Sequence, residues 1–397
     1  MKLPSYVKQI ISLLEGAGHE AYAVGGCVRD ALLSRPCSDY DVTTSATPDE
    51  VKRALASITV IETGIQHGTV TAVLDKKAVE ITTFREDLSY SDHRRPDEVK
   101  FSNTLEADLA RRDFTINALA YNQKCGIIDL YGGKTDLENG VIRAVGDADA
   151  RFNEDALRIL RALRFSSQLG FEVEGKTTEA MLKNSALLSF VSKERIYSEL
   201  KKAVLGKNAA AALSKFRGII FFVLPSLNSD KFDLSLSALS LLPEDFALRF
   251  ACLFYFAPTN AAADALHLLR AERKTIDEVK ALLAALPIRA QMSRTDVKFA
   301  LSRLGEDVFF KLIELEAAFA DGDKKAELKK TKATAESIIE CGECYKISDL
   351  EISGKDLLGL KIEGREIGKV LEKLLAFVIN GETPNEKAKL IEKAKLL

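Results

Sequence analysis

Two acidic residues one position apart, Asp39 and Asp41, are the first candidates for chemistry in this chain. Their segment predicts a β-strand, and because side chains alternate along a strand, both carboxylates would lie on one face. Carboxylates this close repel each other unless a cation lies between them, and Mg²⁺ is a hard cation that prefers oxygen ligands. Glu80, on another predicted strand, could supply a third carboxylate, so that two metal ions could sit around a hydroxyl and a triphosphate.

A glycine pair, Gly25 and Gly26, lies about a dozen residues before the acidic pair, between a predicted strand and a short helix predicted from Val28. Glycines at such a place let backbone N–H groups approach an anion at a helix N-terminus. Arg29, one turn into the helix, could add positive charge for a triphosphate. Either motif alone would more often be an ordinary turn, but the two together favour a phosphate site.

A dense polar cluster, Arg111-Arg112-Asp113, directly precedes the apolar stretch 116–121. An isolated cluster of this kind is usually a run of surface salt bridges. Its position beside an apolar stretch indicates a cleft instead. Arg112 could contact phosphate or ribose there, while Asp113 and Asn117 could orient their neighbours.

The segment 153–165 predicts a single amphipathic helix. At about 100° per residue, Asp155 and Arg158 lie about 60° apart on a charged half, opposite an apolar half that contains Leu163. Asp155 could accept from the exocyclic amino group of cytosine or adenine, and Arg158 could donate to the adjacent ring nitrogen. Uracil and guanine present the opposite polarity at that edge of the base and would be rejected. An ordinary intrahelical ion pair is the alternative explanation for these two residues.

Strand and helix signals mix over the first 145 or so residues. A helix is predicted over 5–18, another helix after the N-cap Thr47, and two strands over 68–74 and 78–84. Residues 85–103 are polar, charged and nonperiodic, which predicts a mobile loop. The start of the chain is therefore expected to be a mixed α/β region.

Helical periodicity replaces the strand signals from about Phe152 onward, with late helices predicted over 323–339 and 385–395. Prolines indicate the boundaries between helical modules. They occur at Pro225, Pro243, Pro258 and Pro287. The chain is thus predicted to have a mixed α/β head followed by a long helical body.

Composition sets limits on the class of protein. A formal net charge of -2 argues against a broadly basic coat for nucleic acid but leaves room for local basic patches. No apolar run approaches the roughly 18 residues of a membrane helix, and the N-terminus is unlike a signal peptide, so a cytoplasmic protein without membrane contact is expected. Of the six cysteines, only Cys341 and Cys344 lie close together, without the second pair that a zinc site needs.

Seven segments, in this order, resemble the class II tRNA nucleotidyltransferase and bacterial poly(A) polymerase family. They are GGCVRDALL (25–33), DYD (39–41), VEITTFR (79–85), RRDFTINALA (111–120), NEDALRILRALRF (153–165), SKERIYSEL (192–200) and 364–394. The last resembles the tail of Gram-positive-type CCA-adding enzymes. Departures are small: Cys27 stands where Ala is usual, and Ser38 where a basic residue is common.

The resemblance implies an α+β fold. A small mixed α/β nucleotidyltransferase head of the polymerase β type would be followed by an all-helical neck, body and tail, arranged like a seahorse. On this sequence the implied domains are 1–145, 146–210, 211–290 and 291–397. The head would carry the metal and triphosphate, the neck would select the base, and the tail would bind tRNA.

The resemblance also implies roles for individual residues. Asp39 and Asp41 would be the ligands of Mg²⁺, with Glu80 as a supporting carboxylate. The nucleotide-binding residues would be Gly25, Gly26, Arg29, Arg112, Asp155, Arg158, Arg161 and Arg164, among which Asp155 and Arg158 form the template for CTP and ATP. Arg111, Asp113 and Asn117 would support them. Segment 85–96 matches the flexible loop that switches such enzymes from C to A addition.

The implied activity is stepwise addition of C, C and A to the 3′ end of tRNA from CTP and ATP, without a nucleic-acid template. The 3′-hydroxyl would attack the α-phosphate, and pyrophosphate would leave in a two-metal reaction. The acceptor and elbow of tRNA would meet local basic groups, and this contact should weaken with salt. The candidates for that contact are Lys193, Arg195, Lys201, Lys202 and Lys207.

Other activities stay open within and beyond the family. A CC-adding enzyme is disfavoured by the intact segment 85–96, and an A-adding enzyme is a further possibility. A poly(A) polymerase is disfavoured because that subgroup usually has a longer basic C-terminal region. A catalytically inactive RNA-binding protein is disfavoured because Asp39, Asp41 and Glu80 are all present. The oligomeric state is open.

Overall fold

The structure is a computed structural model that describes residues 1–37, 39–87 and 99–397. It divides into two compact units, Met1–Pro225 and Ser226–Leu397. The boundary falls inside the segment predicted as the body, and the four-domain division remains a prediction. In the described part of the chain, every helix is too short or too polar to cross a membrane.

The first unit combines a mixed β-sheet with helices. Its strands are β1 (Ala21–Val24), β2 (Asp41–Thr44), β3 (Thr59–Gly64), β4 (Thr69–Leu74), β5 (Lys77–Thr83), β6 (Arg85–Asp87), β7 (Val99–Phe101), β8 (Leu119–Asn122), β9 (Gly126–Asp129), β10 (Val141–Ile142) and β11 (Glu172–Val173). Its helices are α1 (Ser5–Gly16), α2 (Gly26–Leu32), α3 (Pro48–Ala54), α4 (Leu105–Ala110), α5 (Gly133–Glu138), α6 (Ala148–Glu154), α7 (Leu157–Leu169), α8 (Gly175–Lys183), α9 (Lys193–Val204), α10 (Ala209–Lys215) and α11 (Arg217–Val223).

Seven of these strands form one sheet in the order β3-β4-β5-β2-β1-β8-β9. Strands β2 and β5 are parallel, and their register places Asp41 opposite Glu80. On the other side of β2, Val24 of the antiparallel β1 is paired with Asp41. The sheet therefore brings the predicted third carboxylate next to the predicted metal-binding pair.

The predicted elements around this sheet are largely confirmed. Helix α3 begins with a capping box in which Glu50 accepts from the backbone and hydroxyl of Thr47. Asp75 and Lys76 have φ values of 52° and 60°, as a tight hairpin between β4 and β5 requires. Helix α2 begins two residues earlier than predicted. Strands β3, β8 and β9 were not predicted, because their sequences lack a clear alternation of apolar and polar residues.

Two predictions about the strands that flank the site were wrong. Strand β2 begins at Asp41, so Asp39 precedes the strand instead of lying within it. Residues 85–103 do not form a loop throughout, because β6 and β7 pair as an antiparallel ribbon. The rest of the proposed switching loop, from residue 88 onward, lies outside the described residues, as does Ser38.

The predicted helix 153–165 is also wrong, because it is interrupted. Helix α6 ends at Glu154, and α7 begins at Leu157. Asp155 between them is extended, with φ −141° and ψ 100°, and its Oδ1 accepts from the N–H of Leu157 at 3.1 Å. Asp155 thus directly precedes a new helix, whose N-cap residue is Ala156. Strand signals do not end at Phe152 either, since β11 pairs with β10.

The second unit is helical in its described residues. Its helices are α12 (Phe232–Leu239), α13 (Phe246–Leu253), α14 (Ala261–Leu268), α15 (Arg273–Ala284), α16 (Arg294–Leu304), α17 (Glu306–Phe319), α18 (Gly322–Glu340), α19 (Gly354–Leu358), α20 (Arg365–Ile379) and α21 (Lys387–Ala394). All four singled-out prolines lie between helices, as predicted, and α18 and α21 match the two predicted late helices.

The predicted tail contains two hydrophobic clusters. One is built around Phe309 and Ile338, and the other around Leu357 and Leu374. Cys344 packs against the second cluster, and burial raises the pKa of its thiol to about 11. Cys341 is an exposed free thiol. The structure therefore gives Cys344 a packing role.

Candidate active site

The carboxylate edge of the sheet consists of Asp39, Asp41 and Glu80. Among the described residues, none of these three side chains has a hydrogen-bond or ion-pair partner. Desolvation in the cleft, then the charges of Glu80 and Asp39, raise the pKa of Asp41, while Arg112 opposes this shift. The group is therefore an uncompensated set of oxygen ligands, which is the chemistry that a hard divalent cation requires.

The described residues contain no group of three or more His, Cys, Asp or Glu side chains close enough to hold a metal ion. The carboxylate edge is thus not a closed protein cage. Mg²⁺ commonly keeps water and phosphate ligands beside one or two carboxylates, so an open edge fits this ion. A substrate phosphate would complete its coordination.

The glycine pair faces an arginine. Gly25 has φ 77°, and a Cβ atom at this position would lie 2.9 Å from Nη1 of Arg112. Gly26 is the first residue of α2. The structure therefore gives a concrete reason for glycine at position 25: the backbone needs a left-handed conformation, and Arg112 lies directly against it.

Asp108 anchors the two neighbouring arginines and was missed by the sequence analysis. Its fully buried carboxylate accepts from Nη2 of Arg111 at 2.6 Å and from Nη2 of Arg112 at 3.1 Å. The hydroxyl of Thr43, on the strand that carries Asp41, also donates to it. Burial alone would raise the pKa of Asp108, but the two arginines hold it below its usual range.

The spacing of Asp108 from Arg111 and Arg112 was a sequence signal that could have predicted these contacts. Positions three and four apart on a helix lie on one face, and Arg111 and Arg112 follow Asp108 by three and four residues. Helix α4 is fixed to the sheet by Leu105 and Leu109, which pack in one cluster with Val24. The packing of α4 on the sheet thereby fixes the backbone positions of Arg111 and Arg112.

Asp113 links the strand region to α7. Nε of Arg161 donates to its Oδ2 at 2.7 Å, and the amide of Asn117 donates to its Oδ1 at 3.0 Å. Burial would raise the pKa of Asp113, but the charge of Arg161 and the hydrogen bond from Asn117 lower it to about 2. Oδ1 of Asn117 in turn accepts from Nη1 of Arg29 at 2.7 Å. These contacts hold Asp113 and Asn117 in place, and the orienting roles predicted for them remain predictions.

The helix junction, residues 154–158, presents the predicted Asp155 and Arg158 in a different way from the prediction. The two do not form an ion pair. Arg158 is nearly buried and pairs with Glu154 at 2.6 Å, and it donates to the backbone carbonyls of residues 151 and 111. Oδ2 of Asp155 instead accepts from Nη2 of Arg195 at 2.8 Å. Both side chains are fixed, but by separate partners.

Arg164 on α7 contacts the neighbouring helix α9. Its Nε is 2.9 Å from Oε2 of Glu199. Phe165 packs beneath three guanidinium groups, those of Arg29, Arg161 and Arg164, at 5.0, 5.7 and 4.2 Å from the ring centroid. Burial, with the charges of Arg161 and Arg29, lowers the pKa of Arg164 against the opposing charge of Glu199.

One cavity of about 370 Å³ joins the carboxylate edge to the helix junction. Its lining includes the predicted residues Asp41, Glu80, Arg111, Arg112, Asp113, Asp155, Arg158 and Arg161. Arg85 and Arg195 also line it, and neither had been assigned to this cleft. Its lining does not include Asp39, Gly25, Gly26, Arg29, Asn117, Arg164, Lys193, Lys201, Lys202 or Lys207. Acids of the sheet and donors of α7 thus face one space.

Comparisons with known proteins agree with this arrangement. Residues 21–143 match the family described as Poly A polymerase head domain, 170–230 the probable RNA and SrmB-binding site of polymerase A, and 245–394 a putative domain 2 of tRNA nucleotidyltransferase. The CCA-adding enzyme of Lactobacillus delbrueckii subsp. bulgaricus is 40% identical over 392 residues, covering 96% of this chain and 95% of that protein. That of Ligilactobacillus salivarius is 38% identical, covering 100% and 98%.

A solved structure is similar over the same length. The crystal structure of the Bacillus stearothermophilus CCA-adding enzyme in complex with CTP is 32% identical, with a TM-score of 0.81, and covers 99% of this chain and 97% of that chain. Together, the sheet with its acidic edge, the arginine-lined cleft and the helical remainder define a nucleotidyltransferase of α+β fold, as predicted.

The chain belongs to the family of CCA-adding tRNA nucleotidyltransferases. The predicted family and enzyme class are confirmed. Nucleotidyltransferases of this family generally use divalent metal ions. The roles of individual residues in this chain remain predictions.

Proposed function

We propose that this enzyme adds C, C and A to the 3′ end of tRNA from CTP and ATP and releases pyrophosphate. The observation that carries the proposal is the single cleft in which Asp41 and Glu80 face Asp155 and Arg158. A site for phosphate chemistry and a reader of base edges in this cleft would both be within reach of one nucleotide. The relative from Bacillus stearothermophilus, whose structure contains CTP, supports this proposal.

Asp39 and Asp41 would hold Mg²⁺, with Glu80 as the supporting carboxylate. Bound there, Mg²⁺ would lower the barrier by activating the attacking 3′-hydroxyl and by offsetting the charge of the triphosphate. The donor set fits, because it consists only of oxygen ligands, and burial, then repulsion from Glu80 and Asp39, raise the pKa of Asp41. A cation at this edge would remove that repulsion.

Arg111 and Arg112 would bind the triphosphate. Asp108 holds Arg111 through Nε and Nη2 and Arg112 through Nη2, and Nε of Arg112 is a buried donor with no hydrogen-bond partner in the described structure. Buried donors of this kind are rare, because leaving one unmade costs about 1–3 kcal/mol. Phosphate oxygens are suitable acceptors for a guanidinium group. Both arginines would therefore stabilise the charge that the leaving pyrophosphate acquires.

The helix junction would select the base. Asp155 can accept from the amino group that cytosine and adenine share, since a carboxylate oxygen has lone pairs beyond those used by Leu157 and Arg195. Arg158 uses three of its N–H groups on protein oxygens, which leaves two of the five for a ring nitrogen. Uracil and guanine would place a carbonyl against Asp155 and be rejected.

The same reader would serve both nucleotides, so the order C, C, A has to come from the growing tRNA end and from segment 85–96. The tRNA would meet the basic residues of α9 and its C-terminal flank. Lys202 and Lys207 are exposed there and suit phosphate contacts.

The test is an extension assay on three tRNA substrates that end before CCA, before CA and before A. With CTP, ATP or both supplied, the enzyme should complete each substrate and stop. Failure to extend any of the three would contradict an enzymatic function. Arrest after CC would indicate a CC-adding enzyme, and extension of only the last substrate would indicate an A-adding enzyme. Long A tails on unrelated RNA would indicate a poly(A) polymerase.

A further inference from the structure

Asp39 and Asp41 differ in how the fold holds them. Asp41 is the first residue of β2, and its backbone is fixed from both sides by the pairing with Val24 and with Glu80. Asp39 precedes the strand and lies outside these pairings. The separation of the two carboxylates therefore depends on the contacts that hold residues 39 and 40.

An aromatic contact holds this segment against α1. The rings of Tyr40 and Tyr6 meet edge to face, with their centroids 6.1 Å apart and their planes at 90°. Both residues are half-buried, whereas Asp39 between Cys37 and Tyr40 is exposed. The thiol of Cys37 also donates to the backbone carbonyl of Asp39 at 3.0 Å. Because a thiol is a weak donor, the aromatic pair is the stronger of these two contacts.

Helix α1 fixes the position of Tyr6. The helix begins at Ser5, so Tyr6 lies in its first turn, and its buried face consists of Val7, Ile10, Ile11 and Leu14. Burial, then the charges of Cys37 and Asp39, raise the pKa of the Tyr6 hydroxyl. Tyr6 is thus close to Asp39 as well as to the ring of Tyr40, and it stays neutral beside the carboxylate.

An open metal site depends on the order of its ligands. A carboxylate that is already held in place binds a cation more tightly than one that must be ordered on binding, and residues that hold ligating carboxylates strongly affect metal affinity. The sheet already holds Asp41, so Asp39 is the ligand whose order can vary. A contact that holds Asp39 therefore changes the affinity of the whole carboxylate edge for a divalent cation.

We propose that Tyr6 is a positioning residue for the metal site: through the ring of Tyr40 it holds Asp39 beside Asp41 and so sets the affinity of the carboxylate edge for a divalent cation. It rests on the proposed function, in which Asp39 and Asp41 are the metal ligands. Tyr6 does not line the cleft and acts only through its neighbours. Its replacement should therefore weaken metal binding but leave the catalytic step intact once the metal site is saturated.

Two variants of Tyr6 and one of Val7 separate this role from simple packing. Tyr6→Leu keeps an apolar side chain but removes the aromatic edge contact, whereas Tyr6→Phe keeps the ring. Val7 is fully buried and lies about 100° away from Tyr6 around the helix. Val7→Ala should lower the denaturant midpoint of unfolding at least as much as Tyr6→Leu, because it leaves a cavity under α1.

Mn²⁺, which takes the same oxygen ligands as Mg²⁺, is the probe for binding. The electron paramagnetic resonance signal of the free ion reports its binding to the enzyme without nucleotide or tRNA. Tyr6→Leu should raise the dissociation constant for Mn²⁺ about three- to tenfold, the range that an edge-to-face pair can supply. Tyr6→Phe and Val7→Ala should stay within about twofold of wild type.

The dependence of CTP addition on Mg²⁺ gives a second measurement. With tRNA lacking CCA, the Mg²⁺ concentration for half-maximal rate should rise in Tyr6→Leu by a factor similar to that for Mn²⁺ binding. The kcat of this variant at saturating Mg²⁺ should return to near the wild-type value. A lowered kcat with an unchanged Mg²⁺ requirement would contradict a role in metal binding.

The Asp39→Asn background shows whether Tyr6 acts through Asp39. Asp39→Asn should itself weaken Mn²⁺ binding, and adding Tyr6→Leu should change it further by less than about twofold. An equal loss in both backgrounds, an unchanged Mn²⁺ affinity in Tyr6→Leu, an equal loss in Val7→Ala, or no recovery in Tyr6→Phe would overturn the proposal. Mn²⁺ binding that Asp39→Asn does not weaken would refute the proposed metal site and this proposal with it. Failure of wild-type enzyme to incorporate CTP, with Mn²⁺ binding intact, would refute the proposed function alone.

Discussion

The carboxylate edge and the helix junction face the same cleft but differ in how their charges are compensated. Asp41 at the edge has no partner among the described residues and a raised pKa. At and around the junction each acid has a cation: Asp155 has Arg195, Glu154 has Arg158, and Asp113 has Arg161. The negative charges of the edge are therefore open to a bound cation, whereas the acids at and around the junction are already paired with arginines.

This difference predicts opposite effects of neutralising an acid. At the edge, removing a charge should abolish chemistry while relieving repulsion in the folded protein. At the junction and its supports, removing a charge should impair selection or stability, because it leaves a guanidinium group without a partner. Neutralising variants at the edge and at the junction test this contrast.

The largest effect is expected for Asp41→Asn. Loss of a metal ligand should lower nucleotide incorporation on the order of 10³-fold, since such a metal contributes several kcal/mol to the transition state. The raised pKa of Asp41 means that its charged form opposes folding; this penalty is absent at low pH and appears as pH rises through the raised pKa. The variant should therefore unfold at equal or higher denaturant concentration at pH 7 without metal.

The control for that experiment is Asp75→Asn, at the exposed hairpin turn where φ is 52°. Asparagine accepts this backbone conformation, so activity and stability should both stay close to wild type. A stability loss in Asp41→Asn larger than in Asp75→Asn would contradict the uncompensated state of the edge.

Asp155→Ala should have the next largest effect. Removing the acceptor should reduce the preference for CTP over UTP by about 10- to 100-fold, the discrimination that a good pair of base contacts provides. Competition between CTP and UTP in single-nucleotide addition measures this ratio. If the preference is unchanged, the helix junction does not read the base.

Asp113→Asn tests the paired side through stability. The pKa of Asp113 is lowered from 3.8 to about 2, so its ionised form contributes about 2 kcal/mol to folding. That contribution is present above about pH 4 and is lost as pH falls toward 2. Denaturant titrations of wild type between pH 5 and about 2 should show the loss, and the variant should lack this part of the pH dependence. An identical acid limb in both proteins would contradict the assignment to Asp113.

The smallest effect is expected for Lys202→Ala, on the exposed side of α9. If Lys202 contacts a tRNA phosphate, the variant should bind tRNA slightly more weakly, and the slope of log affinity against log salt should become shallower by about 1. Nucleotide selection should not change. A change in the CTP/UTP ratio would contradict the assignment of Lys202 to tRNA contact alone.

The sequence was sufficient for the parts that depend on local pattern. The two strands that carry Asp41 and Glu80 followed from local strand signals, although Asp39 lies outside its strand, and the helix start at Thr47 followed from its capping box. The prolines between helices of the second unit likewise needed only local rules. These features are determined by neighbours in the chain.

The parts that were missed depend on contacts across the chain. The break at Asp155 was hidden because every residue from 153 to 165 tolerates a helix, and only the hydrogen bonds that Asp155 accepts from Leu157 and Arg195 reveal it. Arg195 is 40 residues away from Asp155, so no spacing rule connects them. Asp108 is the exception, because its helical spacing from Arg111 and Arg112 was visible.

The central claim is that the carboxylate edge performs the chemistry and the helix junction selects the base within one cleft. Equilibrium titration of Asp41→Asn and Asp155→Ala with CTP and with UTP, in the presence of Mg²⁺, tests it most directly. Asp41→Asn should keep a CTP preference of about tenfold or more although it cannot turn over, and Asp155→Ala should bind both nucleotides alike. Loss of the preference in Asp41→Asn, or its survival in Asp155→Ala, would contradict the separation of the two tasks.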